Sequence, residues 1–135
     1  MIVLDRSVLV GIVKGEPEVL PLLPLIEGED CAVGAPSLVA ARMWCMENLR
    51  SRRSRWLEIF VQSGGLSVVP FGLDMANAAS NAYAEFGPGS GHEARLDFGD
   101  CMAYAAAAVL RAPLLFTDAR FALTDVMAHP ASLRG

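Results

Sequence analysis

Short, wholly apolar runs alternate along this chain with longer stretches of helical period. Residues 1–4 form an apolar run that ends on Asp5, and Ser7 can cap a short helix from Val8, so the chain opens as strand, turn and helix. Residues 16–27 carry a helical pattern, but Pro21 and Pro24 each remove a backbone donor and predict a kinked or shortened element. Residues 31–34 read as a second short strand. Pro36-Ser37 then opens a long helix reaching about Ser51, and a further helix, about Arg52 to Ser63, carries Trp56, Leu57, Ile59 and Phe60 at helical spacing and stops at Gly64-Gly65. Leu66 to Val69 is an apolar strand closed by Pro70, and Asp74 to Phe86 is an alanine-rich helix. Beyond a flexible loop from Gly87 to His92, Asp97 N-caps a strong helix running to Leu110, and Pro113 to Phe116 is a last apolar strand ending at Thr117-Asp118.

Strands that are apolar throughout belong in a parallel sheet covered on both faces. The pattern therefore predicts an α/β fold, a three-layer α/β/α sandwich around a mainly parallel sheet of four to five strands. Ligands of such sheets bind beyond the carboxyl ends of the strands. No linker or repeat divides the chain, and 135 residues suit a single domain with its own core.

Composition sharpens this picture. Apolar residues make up 53% and charged residues 19%, a surplus that implies either a large core or an apolar face that meets a partner, and an oligomer is expected. No run approaches the roughly 18 uncharged apolar residues of a membrane span. The opening residues lack the basic and small-residue features of a secretory signal, so a cytoplasmic protein is expected. Cys31, Cys45 and Cys101 are scattered and odd in number, which disfavours a disulfide framework or a zinc site and predicts buried, reduced thiols. A net charge of −4 gives no overall attraction for a polyanion, so nucleic acid would have to be held by local arginines or bound cations.

The chemistry lies in the acids. Asp5 and Asp118 each follow directly on an apolar strand, and Asp100 lies in the first turn of a helix that should start on the same sheet edge. Three carboxylates brought together repel unless a cation sits between them, and oxygen-only donors favour Mg²⁺ or Mn²⁺ over zinc. Each acid also has a plain structural reading. Asp5 could cap the following turn, Asp100 could be the N3 acid paired with an N-cap at Asp97, and Asp118 could open a turn. Rival chemistries fail on residue type. A receiver domain needs a lysine near the last strand, whereas the sole lysine is Lys14. A dehalogenase-type phosphatase needs a second aspartate two residues after the first, where Ser7 stands. The glycine-rich loop around Ser90 has neither the frame of a nucleophile elbow nor that of a P-loop.

The opening Met-Ile-Val-Leu-Asp5-Arg-Ser7, the Gly15-Glu-Pro-Glu18 turn, the Ala35-Pro-Ser-Leu-Val helix start, the segment from Gly91 through Asp97-Phe-Gly-Asp100-Cys to Tyr104, and Ala112-Pro-Leu-Leu-Phe-Thr-Asp118-Ala-Arg-Phe121 with Thr124-Asp125-Val together resemble PIN-domain proteins, in particular the VapC-type toxins. The resemblance spans nearly the whole chain. It implies a Mg²⁺-dependent endoribonuclease that hydrolyses RNA phosphodiester bonds, forms a homodimer and is restrained by a cognate antitoxin in its groove. It implies that Asp5, Asp100 and Asp118 hold the metal and carry catalysis, with Asp125 in reserve.

Two departures stand out. Where the family has a glutamate early in the third helix, this chain has Ala40. Glu47, seven residues on, lies roughly 10 Å further along a helix axis. The family's threonine after the first aspartate is Arg6. The alternative to a working ribonuclease is therefore a catalytically weakened PIN domain that binds RNA or antitoxin. Arg6, Ser7, His92 and Arg95 are candidate substrate contacts. The run Arg50, Arg52, Arg53, Arg55 could track an RNA backbone or meet an acidic partner, or be a solvated helix junction. Met43, Trp44, Met46 and Trp56 are expected in core or dimer packing rather than base stacking.

Overall fold

The computed structural model describes residues 1–48 and 54–132. Its centre is a four-stranded sheet of β1 (Ile2–Leu4), β2 (Cys31–Gly34), β3 (Leu66–Val69) and β4 (Leu114–Leu115), in the order β3-β2-β1-β4 and parallel throughout. Among the described residues six α-helices accompany it: α1 (Arg6–Lys14), α2 (Leu23–Gly28), α3 (Ala35–Glu47), α4 (Ser54–Gln62), α5 (Leu73–Phe86) and α6 (Phe98–Leu110). Residues 127–129 run alongside β4, where Leu114 N–H donates to Met127 O at 2.8 Å and His129 N–H donates to Leu114 O at 2.9 Å, extending that edge by one bridge.

Two cores explain why β1, β2 and β4 are apolar on every residue. Ile2 and Leu4 of β1, Cys31 and Val33 of β2 and Leu115 of β4 face α1 to α4. Val3 and Leu114 point the opposite way, into a second core with α5 and α6. All five of these β1 and β4 side chains are buried. The three-layer α/β/α arrangement follows, with the sheet as its middle layer.

The helix boundaries differ from the sequence reading where a different group does the capping. Asp5, not Ser7, caps α1: its Oδ2 accepts from Ser7 N–H at 3.1 Å, which starts the helix at Arg6. The prolines of residues 16–27 do break that segment, into a 3₁₀ turn at Leu20–Leu22 and the short α2. Helix α3 closes at Asn48, whose N–H donates to Trp44 O, short of the expected Ser51. Helix α5 starts one residue earlier than Asp74, at Leu73. Cys31, Cys45 and Cys101 are all buried and free. Trp44 and Trp56 are half-buried against the first core, whereas Met43 and Met46 stand exposed. No helix among the described residues is long and apolar enough to cross a membrane.

The chain moves from β1 outward to β2 and β3, then crosses to the far side of β1 to form β4. The reversal between β1 and β4 is the place where connections leave on opposite sides and a crevice opens. Asp5 follows β1, Asp118 follows β4, and their segments are tied together by Asp5 N–H donating to Leu115 O at 3.0 Å and Thr117 N–H donating to Ser7 Oγ at 3.3 Å.

Candidate active site at the sheet switch point

Asp5 is only 1% exposed, and the two oxygens of its carboxylate have different fates. Oδ2 caps α1, while Oδ1 is buried with no hydrogen-bond partner among the described residues. Burial pushes the carboxyl pKa above its ordinary value, against the lowering effects of the Ser7 hydrogen bonds and the Arg6 charge.

Asp100 is the N3 residue of α6 and forms a capping box with Asp97. Asp97 Oδ1 accepts from Asp100 N–H at 2.9 Å, and Asp100 Oδ2 accepts from Asp97 N–H at 2.9 Å. The box fixes the Asp100 carboxylate in a position only 2% exposed. Burial pushes its pKa up to about 7, helped by the Asp97 charge and opposed by Arg120. Burial also raises the Asp97 carboxyl, but hydrogen bonds from Asp100 and the charges of Arg6 and Arg120 outweigh it and hold the group below its usual range.

Asp118 caps a 3₁₀ turn at Ala119–Leu123, accepting from Arg120 N–H at 3.0 Å. Its carboxylate is gripped by the same residue's side chain, with Arg120 Nε 3.1 Å from both oxygens and Nη2 2.6 Å from Oδ2. Those bonds hold its pKa low. Arg120 Nη2 also lies 2.7 Å from Asp100 Oδ2. One guanidinium thus joins the acid of α6 to the acid after β4.

Arg6 approaches from the other side, with Nη2 3.3 Å from both Asp97 oxygens and 3.9 Å from Asp100 Oδ1. It lies across Gly99, where an added Cβ would run into the guanidinium, so the glycine makes room for the arginine. Ser7 Oγ accepts from Thr117 N–H. His92 folds its own loop, its Nδ1 accepting from Ala94 N–H at 3.0 Å and its ring standing edge-on to Phe86. Arg95 contributes its carbonyl, which accepts from Arg120 Nη1 at 3.0 Å. Asp125 lies apart from the cluster and accepts from Tyr104 Oη at 2.5 Å. Arg50, Arg52 and Arg53 lie outside the described residues, and Arg55 is exposed on α4.

Beside this cluster runs a groove of about 700 Å³ whose lining includes Arg6, Ser7, Ala40, Met43, Glu47 and Phe98. Ala40 and Glu47 therefore face the same open space, although Glu47 is exposed to solvent. Ser37, in the first turn of α3, lines it too and has a buried hydroxyl oxygen with no partner. Neither Ser37 nor Arg120 stands out as a site residue in the sequence. Only the placement of Arg120 two residues after a strand-end acid hints that it folds back onto that acid.

A hard divalent cation suits the oxygen donors here. Asp5 offers a bare buried oxygen, and Asp100 Oδ1 makes only the 3.9 Å approach to Arg6. Mg²⁺ is commonly held by one or two carboxylates with water and substrate oxygens completing the shell, so carboxylates of this kind could hold it. Among the described residues no three His, Cys, Asp or Glu side chains are grouped so as to hold a metal ion, and Asp118 is engaged by Arg120.

The sequence profile of the PIN domain matches residues 2–127. Ribonuclease VapC42 of Mycobacterium tuberculosis is 34% identical over 125 residues, covering 92% of this chain and 95% of the relative. Ribonuclease VapC of Mycolicibacterium smegmatis is 32% identical over 127 residues, covering 93% and 98%. Among solved structures, the VapBC2 complex of Rickettsia felis bound to a promoter DNA fragment superposes with a TM-score of 0.73 at 16% identity, covering 96% of this chain and 98% of the other. The sarcin-ricin-loop-cleaving toxin VapC20 of Mycobacterium tuberculosis gives 0.72 at 14% identity, covering 93% and 96%. With the matched profile spanning both strand-end acids and the α6 capping box, the chain belongs to the PIN-domain family, among its VapC-type members.

Proposed function

We propose that this protein is a Mg²⁺- or Mn²⁺-dependent endoribonuclease of the VapC toxin type, acting at the Asp5–Asp100 end of the switch-point crevice. The observation that carries the proposal is two buried carboxylates that share Arg6 as a neighbour, one of them with an oxygen that has no hydrogen-bond partner among the described residues, in a chain whose relatives are named ribonucleases. Asp5 and Asp100 would hold the ion, with Asp118 within reach once Arg120 leaves it. The ion would supply Lewis-acid polarisation of the scissile phosphate and a water of lowered pKa. The chain's own residues supply the rest. The capping box holds Asp100 still, Ser7 locks the loop after β4 to α1, and Arg6 presents a cation at the mouth of the crevice that can meet an RNA phosphate.

The groove beside the site is the proposed seat of an antitoxin, since exposed Val39, Met43 and Phe98 give it apolar walls with Arg6 at one end. Solved relatives include toxin-antitoxin complexes. A homodimer fits the surplus of exposed apolar side chains such as Leu73 and Tyr83. The deciding assay incubates the purified chain with structured RNAs in Mg²⁺, Mn²⁺ or EDTA. Cleavage should require metal and be lost in Asp100→Asn. Cleavage that persists in EDTA or in Asp100→Asn refutes the assignment.

A further inference from the structure

We propose that Arg120, with Arg6 beside it, is a resident counter-ion that competes with the divalent cation for Asp100 and Asp118, so that metal loading requires the Arg120 side chain to swing out. This rests on the metal-dependent reading above and adds to it a gate supplied by the chain itself.

All the donor groups of Arg120 face the site or its rim. Nε and Nη2 bind Asp118, Nη2 also binds Asp100 Oδ2, and Nη1 reaches the carbonyl of Arg95. That carbonyl belongs to a residue at φ +50°, a left-handed conformation that a non-glycine residue adopts reluctantly, so the rim of the clamp is itself held against local preference. The acids and the arginine differ in freedom. Asp100 is 2% exposed and pinned by the capping box, whereas the Arg120 side chain is 37% exposed. Opening the site therefore needs one side chain to move and no backbone change. Carboxylates held this close require positive charge between them, which a guanidinium or a metal ion can each supply. Both together would place like charges within a few ångströms at a poorly solvated site, and repulsion makes their occupancy mutually exclusive. Arg6 adds to the effect from the opposite side, 3.9 Å from Asp100 Oδ1.

The test is Mn²⁺ binding to the full chain without RNA, read by electron paramagnetic resonance and by calorimetry, in wild type, Arg120→Gln and Arg120→Lys. Arg120→Gln should bind Mn²⁺ at least tenfold more tightly than wild type. Arg120→Lys, which keeps the charge but loses the fork, should fall between them. Should Arg120→Gln be unfolded without metal because Asp100 has lost its partner, Mn²⁺ should restore its far-ultraviolet circular dichroism. Wild type that binds Mn²⁺ as tightly as Arg120→Gln overturns the gate and leaves the metal-dependent reading standing. No Mn²⁺ binding by any variant, or no refolding of an unfolded Arg120→Gln, overturns the gate as well, and the former takes the metal site with it.

Discussion

Asp5→Asn should make the metal-free protein more stable while removing its Mn²⁺ binding. The substitution keeps the cap on α1, because asparagine is as good an N-cap as aspartate and its carbonyl can accept from Ser7 N–H in place of Oδ2. What it removes is a negative charge that is 1% exposed and whose other oxygen has no partner. Keeping a carboxylate in the interior with one oxygen unbonded costs several kcal/mol even with Arg6 and Ser7 beside it, whereas the neutral amide that replaces it, with neither N–H paired, costs about 1–3 kcal/mol. The difference favours the variant by roughly 1–3 kcal/mol. An unfolding entropy of about 2.1 cal/mol/K per residue amounts to roughly 0.28 kcal/mol/K for 135 residues, so the melting temperature should rise by about 4–10 °C. Asp5→Ala loses the cap too and should melt about 4 °C below Asp5→Asn. Calorimetric melts of the three proteins in EDTA, repeated with Mn²⁺, make the comparison. An unchanged or lower melting temperature for Asp5→Asn in EDTA would refute the view that burial of the Asp5 carboxyl destabilises the metal-free fold.

Two further outcomes test the scaffold. Phe116, fully buried with its ring 5.2 Å from that of Phe121, fills the second core behind the loop that carries Asp118, so Phe116→Ala should lose about 3–5 kcal/mol and more than about 10 °C in a thermal melt. The thiols of Cys31 and Cys101 are raised to about 11 by burial first and neighbouring acids second, and Cys45 is buried and raised as well. Iodoacetamide at pH 8 should leave all three unmodified in the folded protein and alkylate all three in guanidinium, as counted by mass spectrometry.

The sheet was legible because burial on both faces makes every residue of β1 and β2 apolar, a pattern that needs no tertiary knowledge to read. The α6 start was legible for the same kind of reason, since Asp97 and Asp100 stand at capping-box spacing. The α1 start was misread because Asp5 and Ser7 are both good caps, and only the backbone decides which side chain turns inward. That choice carries chemistry, since it leaves Asp5 Oδ1 bare and frees the Ser7 hydroxyl to bind Thr117 across the switch point. Arg120 was invisible for a deeper reason. Its principal partner outside its own turn, Asp100, is twenty residues earlier, and no local spacing rule links the two.

The cluster handles buried negative charge in two opposite ways within one crevice. Asp100 and Asp118 are compensated by arginine, a stable arrangement that any incoming cation must displace. Asp5 has one oxygen with no hydrogen-bond partner among the described residues and is pushed toward its neutral form by burial, an imbalance that an incoming cation relieves. A metal ion bound between Asp5 and Asp100 would gain from the first oxygen what it spends in dislodging guanidinium from the second. Affinity would then rest on the difference between two local imbalances rather than on the number of carboxylates. The absence of an acid at Ala40 bears on that difference. Adding a carboxylate there would pull the balance toward the ion, while its absence leaves Arg6 and Arg120 strong enough to hold the site closed until something else, such as an RNA phosphate, draws an arginine away.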